Sequence, residues 1–154
     1  MPKTPAVCLA EHEEEYLSCA YVGHHKKGSI MKQISTPNAP AAIGPYCQAM
    51  STNGFVFTSG QIPINPATGN IEAADITGQT EQVMKNLCAV LEEAGTSPEK
   101  VVKTTCFLAD IADFAAFNEV YAKTFVNKPA RSCFAVKDLP KGALVEVEVI
   151  AVCE

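Results

Sequence analysis

Residues 101–152, VVKTTCFLADIADFAAFNEVYAKTFVNKPARSCFAVKDLPKGALVEVEVIAV, switch hydrophobic period from two to about 3.6 and back, and those switches decide the fold. Val101 to Leu108 alternates and is rich in β-branched residues, which predicts a strand. Asp110 or Asp113 is placed to cap a helix whose apolar stripe is Phe114, Phe117, Val120, Tyr121 and Phe125. Pro129 closes the link. Ala130 to Val136 then predicts a strand, Leu139-Pro140-Lys141-Gly142 a loop, and Leu144 to Val152 a last strand.

Upstream, Asp75 is a suitable N-cap, and Val83, Leu87, Val90, Leu91 and Ala94 keep a helical period until Gly95 stops it. Pro63 to Asn70, with Pro66 and Gly69, reads as a turn-rich loop. Asn53-Gly54 is a hairpin turn joining a strand over Pro45 to Met50 with another over Phe55 to Ser59. Two helices against one sheet predict an α+β domain in which both helices bury their stripes on a single sheet face. Pairing is expected to be mostly antiparallel or mixed. The opposite sheet face also carries apolar residues, which points to a partner subunit.

The chain of 154 residues has room for one ordinary domain, from Met31 to the C-terminus. Residues 1–30 differ in character. Pro2, Pro5, the acidic run Glu11 to Glu15 and the His24-His25-Lys26-Lys27-Gly28 stretch keep no amphipathic period. They read as an N-terminal extension of unassigned role, without the Arg-rich pattern of a transit peptide or the apolar core of a secretory signal. With 47% hydrophobic and 19% charged residues the composition is globular, and no run approaches the ~20 apolar residues of a membrane span. A soluble, cytoplasmic protein is expected. The net charge of −5 and the absence of a basic stripe argue against nucleic acid as a partner.

Seven cysteines, at 8, 19, 47, 88, 106, 133 and 153, show no CxxC or metal-ligand spacing and read as reduced thiols used as small hydrophobes. His12, His24 and His25 are the only histidines, so no metal site is expected. A Cys-His or Ser-His mechanism is excluded within residues 31–154.

Alternation places Arg131 and Cys133 on one face of their strand, with Ser132, Phe134 and Val136 on the other. Taking Phe134 and Val136 as core puts Arg131 on the far face. Glu146 and Glu148, alternating with the core set Val145, Val147, Val149 and Ala151, are then expected to point the same way as Arg131. A guanidinium and carboxylates together make either an anion-binding pocket or a plain salt bridge. An Arg on a strand is ordinarily a snorkelling surface residue, and glutamates two apart are ordinarily a solvated edge. Ser59-Gly60 ends a strand where a hydroxyl and an N–H could meet a ligand.

Four separated motifs resemble the RidA family, the YjgF-type reactive intermediate deaminases. They are Asn38-Ala39-Pro40-Ala41-Ala42-Ile43-Gly44-Pro45-Tyr46, Thr58-Ser59-Gly60-Gln61-Ile62-Pro63, Pro129-Ala130-Arg131-Ser132-Cys133 and Val145-Glu146-Val147-Glu148, in register across Met31 to Val152. The resemblance implies a chorismate-mutase-like fold, one sheet with two helices packed on one face. It also implies a homotrimer with ligand sites in the clefts between subunits. The implied activity is cofactor-free hydrolysis of 2-imino acids, such as 2-iminobutanoate and 2-iminopropanoate, to 2-keto acids and ammonia, which protects pyridoxal-phosphate enzymes. Arg131 would bind the substrate carboxylate, Glu146 would act on the attacking water, and Tyr46, Ser59, Gly60, Asn118 and Cys133 would line the pocket. Some relatives are described as ribonucleases that inhibit translation, so RNA cleavage is one alternative. A non-catalytic 2-keto acid sensor is another.

Overall fold

The computed structural model describes residues 31–153. The expected extension over residues 1–30 lies outside the described residues, with all three histidines and the Lys26-Lys27 pair. Six strands make one mixed sheet in the order β1-β2-β3-β6-β4-β5. They are β1 (Lys32–Ile34), β2 (Ala49–Thr52), β3 (Phe55–Thr58), β4 (Val101–Leu108), β5 (Ala130–Ala135) and β6 (Val145–Val152). The helices are α1 (Ile76–Glu93) and α2 (Phe114–Thr124). Among the described residues no helix is long and apolar enough to cross a membrane.

Local chemistry accounts for most boundaries. Asp75 accepts from the Gly78 N–H at 2.9 Å to open α1, and Gly95 at φ +76° ends it in the left-handed conformation. Asn53 and Gly54 both have positive φ, the requirement of a two-residue hairpin turn, and they join β2 to β3. Asp110 accepts from Ala112 N and caps a short 3-10 turn, Ile111–Asp113, that leads into α2, whereas Asp113 at the N-cap position makes no side-chain bond.

Both helices lie on one sheet face. Val83, Leu87 and Leu91 of α1 and Phe117, Tyr121 and Phe125 meet Cys106 and Leu108 of β4 and Val145, Val147 and Val149 of β6. A fully buried Asn86 secures the loop after β3, donating to the carbonyls of Ile62 and Ile64, both at 3.0 Å.

Three expectations are corrected. The strand expected from Pro45 begins only at Ala49, because Gln48 turns inward and takes over the hydrogen bonding of the preceding loop. Its side chain donates to the carbonyls of Thr36, Ala39 and Pro40 and accepts from Thr36 N. The short β1, paired antiparallel with β2, was not expected. Most consequentially, β5 runs parallel to β4 with Arg131 opposite the buried Thr104 and Cys133 opposite the buried Cys106. Arg131 and Cys133 therefore face the helices, and Phe134 is turned outward at 45% exposure. Glu146 and Glu148 register with Phe107 and Thr105, on the outer face and so opposite to Arg131.

The outer face is strongly apolar. Phe55, Phe57, Phe134 and Val152 are each 38–45% exposed on it, and Phe107 meets Phe134 edge-on at 5.4 Å.

Replacing Asn86 by Ala strips a buried carbonyl, that of Ile64, and a part-buried one, that of Ile62, of their donor, at about 1–3 kcal/mol each. Urea denaturation of the variant is expected to show a loss of at least ~2 kcal/mol with an unchanged denaturant slope.

Candidate active site

The sequence-expected residues separate into two groups. Arg131, Asn118 and Cys133 gather on the helix side of edge strand β5. The Arg131 Nη1 donates to Asn118 Oδ1 at 2.7 Å. Its guanidinium carbon lies 4.7 Å from the centre of the Tyr121 ring, 5.5 Å from that of Phe114 and 6.0 Å from that of Phe117. Among the described residues no carboxylate pairs with Arg131. The result is a cation held on an aromatic bed with hydrogen-bond donors left for an anion.

Cys133 is half-buried beside it, and burial pushes its thiol up, against a smaller downward pull from Arg131. Cys106 is deeper, and burial pushes it up to about 12. Both are thiols at neutral pH, which suits pocket lining and not nucleophilic attack.

Tyr46, Ser59, Gly60 and Glu146 gather in the second group, at the outer end of β3. From Phe57 opposite Ile150 to Gln61 opposite Val147, four steps along one strand (57 to 61) face three on the other (150 to 147). The chain therefore bulges at Ser59-Gly60, a device that re-aims side chains next to sites. The Ser59 hydroxyl is spent on the Cys47 carbonyl at 2.7 Å, and the Ser59 N–H donates to the Gln48 carbonyl at 2.9 Å. Ser59 thus fixes the loop that presents Tyr46, whose own hydroxyl accepts from Ile43 N.

Gly60 leaves room for the Glu146 side chain. A Cβ there would overlap Glu146 Oε1 and stand 2.7 Å from Glu146 Cδ, so the carboxylate lies directly on the glycine backbone. Burial pushes the Glu146 carboxyl above its usual range, and the charge of Glu148 adds to the shift. Among the described residues no three His, Cys, Asp or Glu side chains cluster as metal ligands would.

Sequence reasoning missed the aromatic bed. Phe114, Phe117 and Tyr121 read as an ordinary core stripe, and the available signal was Asn118, a polar residue set among them at i+4 from Phe114.

The fold is thus one sheet with two helices on one face, with an arginine on the edge strand that has no carboxylate partner among the described residues and a half-buried glutamate against a bulged glycine. The chain belongs to the family described as Endoribonuclease L-PSP, the YjgF/RidA/RutC family, which it matches over residues 36–153. It is 52% identical over 119 residues to a RutC family protein, PH0854, of Pyrococcus horikoshii, a match covering 77% of this chain and 94% of that one. It is similar to the YjgF gene product of E. coli, solved at 1.2 Å, with 45% identity and a TM-score of 0.76 over 80% of this chain and 99% of that one. It is similar to E. coli TdcF, solved with bound serine, with 44% identity and a TM-score of 0.76, again over 80% and 99%.

The raised Glu146 carboxyl binds its proton more tightly folded than unfolded. Stability is therefore expected to fall as pH rises from the ordinary carboxyl value of 4.5 through the raised folded one. Glu146→Gln should flatten that decline in thermal midpoints measured across pH. Gly60→Ala should displace the carboxylate, returning its titration, followed by carboxyl NMR, toward the ordinary value.

Proposed function

We propose that this protein is a cofactor-independent hydrolase of short 2-imino acids, releasing the 2-keto acid and ammonia. The observation that carries the reading is the Arg131 guanidinium, held by Asn118 and three rings with no carboxylate partner among the described residues. A substrate carboxylate matches that fork as a bidentate partner. The bound serine of the similar E. coli TdcF is a small molecule carrying the same carboxylate.

Clamping the carboxylate leaves the adjacent C=N carbon, already electrophilic as a protonated imine, in a fixed position. Glu146 accepts a proton from the attacking water and passes it to nitrogen; as the C–N bond breaks it takes the remaining hydroxyl proton, so that the ketone forms and the nitrogen leaves as ammonia, which carries that proton away as ammonium. A carboxyl raised by burial is suited to these transfers, since its proton affinity lies nearer to neutral pH than that of an exposed glutamate. The Gly60 backbone and Tyr46 border the same carboxylate's side of the pocket.

Arg131 and Glu146 lie on opposite faces of the sheet, so one subunit does not assemble the site alone. The reading therefore requires neighbouring subunits in which the clamp of one meets the Glu146–Gly60 pair of the next. A homotrimer packed through the apolar outer face would supply three such junctions and cover Phe55, Phe57 and Phe134. RNA cleavage, suggested by the family description, finds less support, because the chain has no histidine after residue 25 and no basic stripe.

With 2-iminobutanoate generated in situ from threonine by a dehydratase and trapped by semicarbazide, the protein is expected to suppress semicarbazone formation. Arg131→Ala should abolish the effect and Glu146→Gln should slow it by roughly 10²-fold or more. Undiminished trapping with the wild type would leave a carboxylate-binding role. Mixing the two inactive variants as unfolded chains and refolding them together should restore roughly a quarter of wild-type activity, because random assembly rebuilds one junction in four. No recovery would place both halves of the site in one chain.

A further inference from the structure

The Arg131 side chain is supported through a closed circuit of contacts. Its backbone registers with Thr104 across the parallel β4–β5 pair. The Thr104 hydroxyl lies 2.8 Å from the Tyr121 hydroxyl, and both residues are buried. The face of the Tyr121 ring then lies under the guanidinium at 4.7 Å. Tyr121 is further packed between the rings of Phe117 at 5.5 Å and Phe125 at 4.7 Å. Asn118, the next residue on the same helical face, takes Nη1 from the side at 2.7 Å.

We propose that Tyr121 is a positioning residue for the carboxylate clamp. Its ring, packed between Phe117 and Phe125, holds Arg131 in the rotamer whose free edge meets a planar carboxylate. In the same arrangement Asn118 acts through Arg131 and does not touch the ligand. The inference rests on the reading of Arg131 as the anion-binding group. An arginine on a strand samples several rotamers, and ordering that side chain on binding weakens affinity. A ring face attracts the guanidinium without consuming its N–H donors, which leaves them for the ligand. A carboxylate in place of Tyr121 would hold the cation as firmly but neutralise it and compete with the substrate.

The shelf acts on the carboxylate equally before and during reaction, so its removal should raise KM and leave kcat nearly unchanged. Tyr121→Leu is expected to raise KM for the imine, and the Kd for 2-oxobutanoate measured by calorimetry, by roughly tenfold. Tyr121→Phe combined with Thr104→Val keeps the ring and removes both hydroxyls together, leaving only the weak Cys106 thiol donor without its acceptor. That pair should stay within about threefold of wild type. Urea midpoints for each variant separate this order from one that simply follows stability.

The guanidinium nitrogen resonances, assigned by their loss in Arg131→Lys, supply a readout that does not depend on turnover. Slow rotation about Cζ–Nε is expected in the wild type and fast rotation in Tyr121→Leu. An unchanged KM and unchanged rotation in folded Tyr121→Leu would overturn the proposal, as would a loss confined to kcat. Should the wild type show no imine turnover, the hydrolase reading fails by itself. The rotation and the 2-oxobutanoate affinity still decide the role of Tyr121.

Discussion

The parallel pairing of β5 with β4 is the constraint on which the site depends. In a sheet, registered neighbours point to the same face, so Thr104 and Cys106, both fully buried, compel Arg131 and Cys133 to face the helices. A slip of one residue would exchange Arg131 for Ser132 and drive Phe134 into the core. The helix between the two strands then supplies what a cation on the helix side requires. Phe114, Phe117 and Tyr121 come from one stripe of α2, and Asn118 offers the side-chain oxygen that accepts a hydrogen bond from the guanidinium. The same helix buries the core and builds half of the candidate site.

The other half follows from a local irregularity. A regular β3–β6 pair would carry Ser59 and Gly60 onward as ladder residues. The extra residue at the bulge instead lets the chain leave β6, bond back to the loop at Cys47 and Gln48, and rejoin at Gln61. The absent side chain of Gly60 is what makes room for Glu146. Burial there makes the glutamate a willing proton acceptor, and the neighbouring charge of Glu148 acts in the same direction. Held apart on two faces, the cation and this carboxyl do not neutralise one another within a subunit. That separation leaves Arg131 without a carboxylate partner among the described residues.

One helix-covered face also explains the outer surface. Two helices suffice to cover one side of six strands, and the phenylalanines of β3 and β5 remain half-exposed on the other. Burial of such a patch is the usual reason for self-association of small α+β domains. It supports the proposal that the two-part site lies at a junction between copies.

The sequence by itself determined the elements whose signals are local. Asp75 and Gly95 bound α1, Asn53-Gly54 makes the hairpin, and β-branched alternation marks β4 at both its ends. Four motifs in register carried the family. Alternation also established that Arg131 and Cys133 share a face, but a period of two does not say which face is inside. Hydrophobicity favoured Phe134 as core and so chose wrongly, because that phenylalanine belongs to an apolar outer face which no helix among the described residues covers. The inward Gln48, the Glu146–Gly60 contact and the Thr104–Tyr121–Arg131 circuit join residues between 8 and 86 positions apart in the chain. Contacts at such separations leave no periodic trace. Only tertiary structure decided them, because strand register and helix placement are settled by the packing of the whole core.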